Sequence, residues 1–99
     1  MNAAEFEALL LGLLRQWRVE AGISVRRTSD ALTADITSGG IGVSVTRSQQ
    51  PFGIVWQVEP TGGRKLTHPS LIGCIRHLRQ ALAPELGTSR VVFARAGSR

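Results

Sequence analysis

The sequence is poor in aromatic residues, lysine and cysteine, and it lacks a long apolar run. It has three Phe, two Trp and no Tyr, so aliphatic side chains must supply most of any hydrophobic core. Its single cysteine, Cys74, excludes an internal disulfide and a multi-cysteine metal site. The longest apolar run, at 8–14, is far shorter than the roughly 20 residues of a membrane-spanning helix. We therefore expect a fold held together by packing, with no membrane partner.

The same apolar run does not have the features of a secretory signal. It follows Glu5 and Glu7 rather than basic residues, and no small-residue cleavage pattern comes after it. We therefore expect a cytoplasmic protein. The length of 99 residues and the hydrophobic fraction of 42% are typical of one globular domain. We place a single α+β domain at 1–95 and expect a disordered tail at 96–99.

The charged residues give an excess of positive charge whose origin the sequence leaves open. Eleven Arg and one Lys against seven carboxylates give a net charge of +5. A surplus of this sign attracts nucleic acid, anionic lipid or acidic proteins without choosing among them. The preference for Arg over Lys is typical of bidentate phosphate or carboxylate recognition. It is equally typical of a coding sequence rich in G and C.

The segment from Ala3 to Arg18 is predicted to be an amphipathic helix. Its apolar residues recur at spacings of three and four: Phe6, Leu9, Leu10, Leu13, Leu14 and Trp17. Asn2 is the expected N-cap. Gly12 in the helix interior costs about 1 kcal/mol relative to Ala, which suggests that another backbone segment approaches closely there.

Between residues 23 and 58 the hydrophobic period changes to two, which predicts antiparallel strands. Four strands are expected: Ile23 to Arg26, Leu32 to Thr37, Ile41 to Thr46 and Phe52 to Val58. Gly39 and Gly40 supply a turn that tolerates positive φ.

A second helix is predicted after Thr67, with Pro69 in its first turn and Pro84 ending it. Its apolar stripe is Leu71, Ile72, Ile75, Leu78 and Leu82. A short fifth strand is expected at Val91 to Phe93. The element order α-β-β-β-β-α predicts a two-layer α+β sandwich, in which both helices cover one face of a four-stranded antiparallel meander sheet.

The other face of this sheet is expected to be polar and open to solvent. The side chains on it are Ser24, Arg26, Thr33, Asp35, Thr37, Ser44, Thr46 and Gln57.

One candidate anion site lies between the last strand and the second helix, at Gly62, Gly63, Arg64 and Lys65. Basic side chains ahead of a helix N-terminus can bind phosphate together with free backbone N–H groups. The spacing is not that of a P-loop. The alternative is a Gly-Gly turn flanked by solvated cations.

One candidate reactive pair is Cys74 with His77, which lie on adjacent turns of the second helix. The apolar surroundings favour an inert core cysteine instead. The two histidines, His68 and His77, match no standard zinc spacing, so we expect no metal site and no cofactor.

We find no arrangement of residues typical of an enzyme, and our leading hypothesis is a non-enzymatic protein-interaction module. A small antiparallel sheet must protect its edges, and pairing between two copies is one solution, so we expect a homodimer. The first alternative is a nucleic-acid-binding domain that uses Arg and Lys contacts to phosphate. The second is a small enzyme or ligand carrier with a pocket between the helices and the sheet.

Overall fold

The computed structural model describes residues 1–84, which form a helix, a five-stranded antiparallel sheet and a second helix. The strands neighbour one another in chain order, as in a meander. The elements are α1 Ala3–Gln16, β1 Gly22–Arg27, β2 Ala31–Ser38, β3 Ile41–Gln50, β4 Gly53–Pro60, β5 Leu66–His68 and α2 Leu71–Leu82. This is the predicted α+β arrangement. The strand predicted at 91–93, the domain boundary at residue 95 and the tail at 96–99 lie outside the described residues.

Helix α1 begins with the predicted cap. Asn2 Oδ1 accepts a hydrogen bond from the Glu5 backbone N–H, and Glu5 Oε1 accepts one from the Asn2 N–H, both at 2.8 Å. This reciprocal capping box satisfies two backbone donors at the start of the helix, which would otherwise have no partner.

Helix α1 ends two residues earlier than predicted. Its C-cap is Trp17, and Arg18 has φ +58°, in the left-handed region. The Arg18 N–H bonds to the Arg15 carbonyl and the Val19 N–H bonds to the Leu14 carbonyl, which is the Schellman pattern. The chain therefore turns toward β1 at Arg18, although this residue has a side chain that disfavours the conformation.

The four predicted strands are confirmed as β1 to β4, with ends that extend further than the alternation indicated. Gly39 and Gly40 form the turn between β2 and β3 with φ of +54° and +86°, the positive values that this hairpin requires. Phe52 belongs to the turn before β4 rather than to the strand, and 82% of it is exposed.

The fifth strand of the sheet, β5, occupies a segment that was predicted to lead directly into the second helix. Leu66 pairs with Val58, and His68 pairs with Trp56. A strand of three residues is too short for an alternating pattern, so the periodicity could not indicate it.

Helix α2 begins later than predicted, at Leu71, with Ser70 as its N-cap. Pro69 therefore lies before the cap and not in the first turn. Its buried residues are Cys74, Leu78 and Leu82, whereas Ile72, which was assigned to the apolar stripe, is 63% exposed. Neither helix in this part of the chain is long and apolar enough to cross a bilayer.

The core lies between the sheet and the two helices, which cover the same face. Helix α1 packs over β1 and β2, and α2 packs over β3, β4 and β5. Phe6 of α1 meets Trp56 of β4 with ring centroids 6.3 Å apart, so the two halves share one core. The buried cluster is Phe6, Leu10, Leu14, Leu32, Ala34, Ile36, Val43, Val45, Trp56, Val58, Cys74, Leu78 and Leu82.

The expectation of a close backbone approach at Gly12 is wrong. Gly12 is exposed, and a Cβ atom added to it would meet nothing within 4 Å among the described residues. The strands cross the opposite side of α1, where Phe6, Leu10 and Leu14 are buried.

Candidate functional site

The open face of the sheet carries a network of polar side chains that contact one another across strands in two groups. Arg26 Nη1 on β1 contacts Asp35 Oδ2 on β2 at 2.5 Å, and Ser44 Oγ on β3 donates to Asp35 Oδ1 at 2.6 Å. The hydroxyls of Thr33 and Thr46 lie 3.2 Å apart on β2 and β3. The strand register places the predicted polar residues on this face. The network ties neighbouring strands together and leaves hydroxyl groups facing solvent.

A shallow depression of about 200 Å³ lies on this polar face. Its lining residues are Arg26, Thr33, Ser44, Thr46, Gln57, Glu59 and Lys65. Cations and a carboxylate are both present, so the depression has the character of a mixed polar surface rather than a charged pocket. Such a surface suits water-mediated contact with another macromolecule.

The two edges of the sheet differ in length. β5 has three residues, whereas β1 has six and pairs, within residues 1–84, with β2 alone. An edge strand presents unpaired backbone N–H and C=O groups along its outer side. The longer row of these groups therefore belongs to β1.

The candidate anion site at Gly62, Gly63, Arg64 and Lys65 is an exposed turn. It joins β4 to β5, and Gly62 has φ +79°. Because β5 lies between this turn and Ser70, the turn does not lead into the N-terminus of α2, and the N–H groups there do not add to it. Contact of Arg64 and Lys65 with phosphate stays a prediction that rests on their charge alone.

The candidate reactive pair does not have the geometry of a nucleophile and its base. Cys74 is only 2% exposed, and burial raises the pKa of its thiol to about 11. A thiol with such a pKa is protonated near neutral pH and is a poor nucleophile. His77 instead forms a hydrogen bond with His68, in which His77 Nδ1 and His68 Nε2 lie 3.0 Å apart.

The contact between His68 and His77 joins β5 to α2, and sequence spacing did not predict it. The ring centroids are 5.2 Å apart and the ring planes are inclined by 71°. One ring must donate an N–H and the other must accept it, so the bond requires at least one neutral imidazole. Burial, and then the charge of His68, lower the pKa of His77. Both effects favour the neutral form that the bond needs.

An open cavity of about 410 Å³ lies beside His77. It is lined by Gly40, Ile41, Gly42, Pro60, Thr61, His77, Gln80 and Ala81. A Cβ atom at Gly42 would lie 2.6 Å from Thr61 Oγ1, so glycine is required for this close approach. Among the lining residues within 1–84 there is no carboxylate, and the hydroxyl of Thr61 is the one group of nucleophile type.

The part of the chain that the structure describes also contains no cluster of metal ligands. No group of three or more His, Cys, Asp or Glu residues is close enough there to hold an ion. The paired histidines contact each other between β5 and α2.

Comparison with known proteins leaves the site to be interpreted from its own geometry. No family model, no curated protein and no solved structure matches this chain.

Proposed function

We propose that this domain is a non-enzymatic interaction module that self-associates through the edge of β1. The observation that carries the proposal is the six-residue strand at the sheet edge, which pairs with β2 alone among residues 1–84. Pairing with a second copy would satisfy its outer N–H and C=O groups. Closed two-fold dimers are the commonest assemblies of soluble proteins. A cytoplasmic location is part of this proposal.

The charges on β1 do not oppose this pairing. Charged side chains on an edge strand usually prevent association. Here Arg26 is held by Asp35 of the neighbouring strand, and Arg27 is the last residue of β1. The middle of the strand carries only the uncharged side chains of Ile23, Ser24 and Val25.

A two-fold axis centred on Ser24 gives a register that suits both faces of the sheet. It places Ile23 opposite Val25 of the second copy on the helix side, where both side chains are half-buried in one copy. It places Gly22 opposite Arg26 of the second copy on the polar side, which leaves room for the long side chain. The two sheets then form one continuous sheet, and cross-strand contact between Ile23 and Val25 stabilises the interface.

Charge at position 24 tests this register directly. Ser24 would face itself across the axis, so Ser24→Glu places two carboxylates together and Ser24→Lys places two ammonium groups together. We expect the wild-type protein to be a dimer in analytical ultracentrifugation and each variant to be a monomer. An equimolar mixture of the two variants should associate again, because opposite charges then meet.

Thr37→Glu is the matched control. Thr37 is exposed on the same face but belongs to β2, so its carboxylate would not face a second copy and the dimer should persist. A strictly monomeric wild-type protein at high concentration contradicts the proposal. Loss of the dimer in Thr37→Glu to the same extent as in Ser24→Glu contradicts the register.

Nucleic-acid binding is the alternative that the charges of the Gly62–Lys65 turn favour. Arg64 and Lys65 are both exposed there, and phosphate contacts weaken steeply with ionic strength. Retention of the protein on DNA or RNA at low salt, lost at high salt, supports this alternative. Absence of retention at low salt ends it.

A further inference from the structure

A second cavity lies at the end of the molecule where α1 begins, and its chemistry differs from that of the polar sheet face. Its volume is about 320 Å³. The lining residues are Met1, Arg27, Ser29, Asp30, Ala31, Leu32, Arg47 and Gln49. Two arginines, a hydroxyl and an amide thus line one partly open space, with a single carboxylate among them.

Arg47 occupies an unusual position in the sheet. It pairs with Leu32 on β2 and with Trp56 on β4, both of which are buried. The register therefore places a guanidinium on the apolar, helix-covered side of β3. Its central carbon lies 5.8 Å from the centroid of the Trp56 ring, a distance at which a cation and an aromatic face attract each other.

The hydrogen-bonding capacity of Arg47 is not filled by residues 1–84. Its Nε is buried and has no hydrogen-bond partner among them. The one ion pair among residues 1–84 joins Arg26 to Asp35, so no carboxylate in that range lies within 4 Å of the Arg47 guanidinium. A buried polar donor without a partner is rare in folded proteins and calls for an explanation such as a bound ion.

The rest of the cavity adds donors to the site. Arg27 is exposed and lines the space together with Ser29 and Gln49. Asp30 is the opposing charge, and it accepts a weak hydrogen bond of 3.4 Å from Ser29 Oγ. Two arginines against one carboxylate leave the cavity positive.

We propose that this cavity binds a small oxyanion-bearing ligand, a carboxylate or a phosphate, through Arg47 and Arg27. The planar guanidinium presents parallel N–H donors that match the two oxygens of either group. The Trp56 ring lies beside the Arg47 guanidinium, and Arg27 lines the same space from the end of β1. The volume of about 320 Å³ admits an oxyanion with or without a small organic group attached to it.

Calorimetric titration of the wild-type protein with inorganic phosphate and with succinate at low salt tests the proposal. We expect binding of at least one anion, and the tighter of the two identifies the class of oxyanion. Arg47→Met keeps the apolar stem and removes the donors, so it should raise the dissociation constant by about tenfold or more. Arg27→Gln should raise the dissociation constant less, because the Arg27 side chain is exposed to solvent.

Arg76→Met is the matched control, since Arg76 is exposed on α2 and is not among the residues that line the cavity. This variant should bind as the wild type does. The proposal is overturned if the wild type binds neither anion, if Arg47→Met binds with unchanged affinity, or if Arg76→Met weakens binding as much as Arg47→Met. The circular dichroism spectrum of Arg47→Met shows whether the variant is folded. If Arg47→Met does not fold, the test depends on Arg27→Gln, and an unchanged affinity of that variant would overturn the proposal.

Discussion

Arg18 is the one non-glycine residue with positive φ in the described part of the chain. The left-handed conformation brings its Cβ close to the following carbonyl oxygen and costs roughly 1–2 kcal/mol for an L-residue. The Schellman hydrogen bonds at the end of α1 hold it there, because they satisfy two carbonyls that would otherwise have no partner.

Arg18→Gly should therefore stabilise the fold. Glycine adopts positive φ without the steric penalty, although it gains freedom in the unfolded chain, so we expect a net gain of roughly 0.5–1 kcal/mol in the free energy of unfolding. Urea denaturation measures it. Arg15→Gly is the control and should destabilise, because Arg15 lies within α1. A loss of stability in Arg18→Gly would contradict the assigned backbone conformation.

At the scale of the element, α1 carries a glycine that its packing does not require. Gly12 is exposed, with open space where a Cβ would stand, and glycine is the least favourable ordinary residue in a helix interior after proline. Gly12→Ala should raise the free energy of unfolding by up to about 1 kcal/mol, measured by thermal or urea denaturation. An unchanged or lower stability would show that something outside residues 1–84 contacts this position.

The substitution of alanine for glycine at position 42 should have the opposite effect on the free energy of unfolding. An added Cβ there would lie 2.6 Å from Thr61 Oγ1, so Gly42→Ala should not stabilise, and it serves as the control for Gly12→Ala.

At the scale of the whole molecule, the hydrogen bond between His68 and His77 links stability to pH. Burial and the neighbouring His68 lower the pKa of His77 below its ordinary value of 6.5 in the folded state. The unfolded chain then binds more protons between the folded pKa and 6.5. The contribution of His77 to the free energy of unfolding is therefore fully present above about pH 6.5. It is lost as the pH falls through the pKa that His77 has in the folded state.

His77→Gln tests this linkage. Glutamine does not titrate, so the stability that the wild type loses between pH 8 and pH 5 should be smaller in the variant when both are followed by urea denaturation at each pH. Equal losses in the two proteins would exclude His77 as the titrating group.

Much of the molecule follows from local patterns in the sequence. The spacing of apolar residues predicted α1 and β1 to β4, and Asn2 predicted the N-cap of α1, because these signals depend on residues close in the chain. The turn at Gly39 and Gly40 was predicted for the same reason. The errors lie where local signals are short or ambiguous, as in β5 and in the first turn of α2.

The residues of the candidate sites show a different limit. The sequence indicated a candidate anion site at Gly62 to Lys65, yet the structure places this segment in a turn away from the α2 N-terminus. It also indicated a reactive pair of Cys74 and His77, yet the structure buries the thiol of Cys74. It did not mark Arg47, because the predicted third strand ended at Thr46 and left Arg47 outside the alternating pattern, whereas β3 runs to Gln50. Only the register, which sets Arg47 between Leu32 and Trp56, shows that it faces the helices.

The sequence by itself determined both helices, the first four strands, their order and the face that each of these strands buries, because periodicity and capping act over a few residues. Tertiary structure alone decided which distant side chains meet: His68 with His77, Phe6 with Trp56, and Arg47 with an apolar neighbourhood. These contacts depend on how the strands pair and on where α2 lies over them. No local spacing specifies that arrangement, since it results from the burial of the whole core at once.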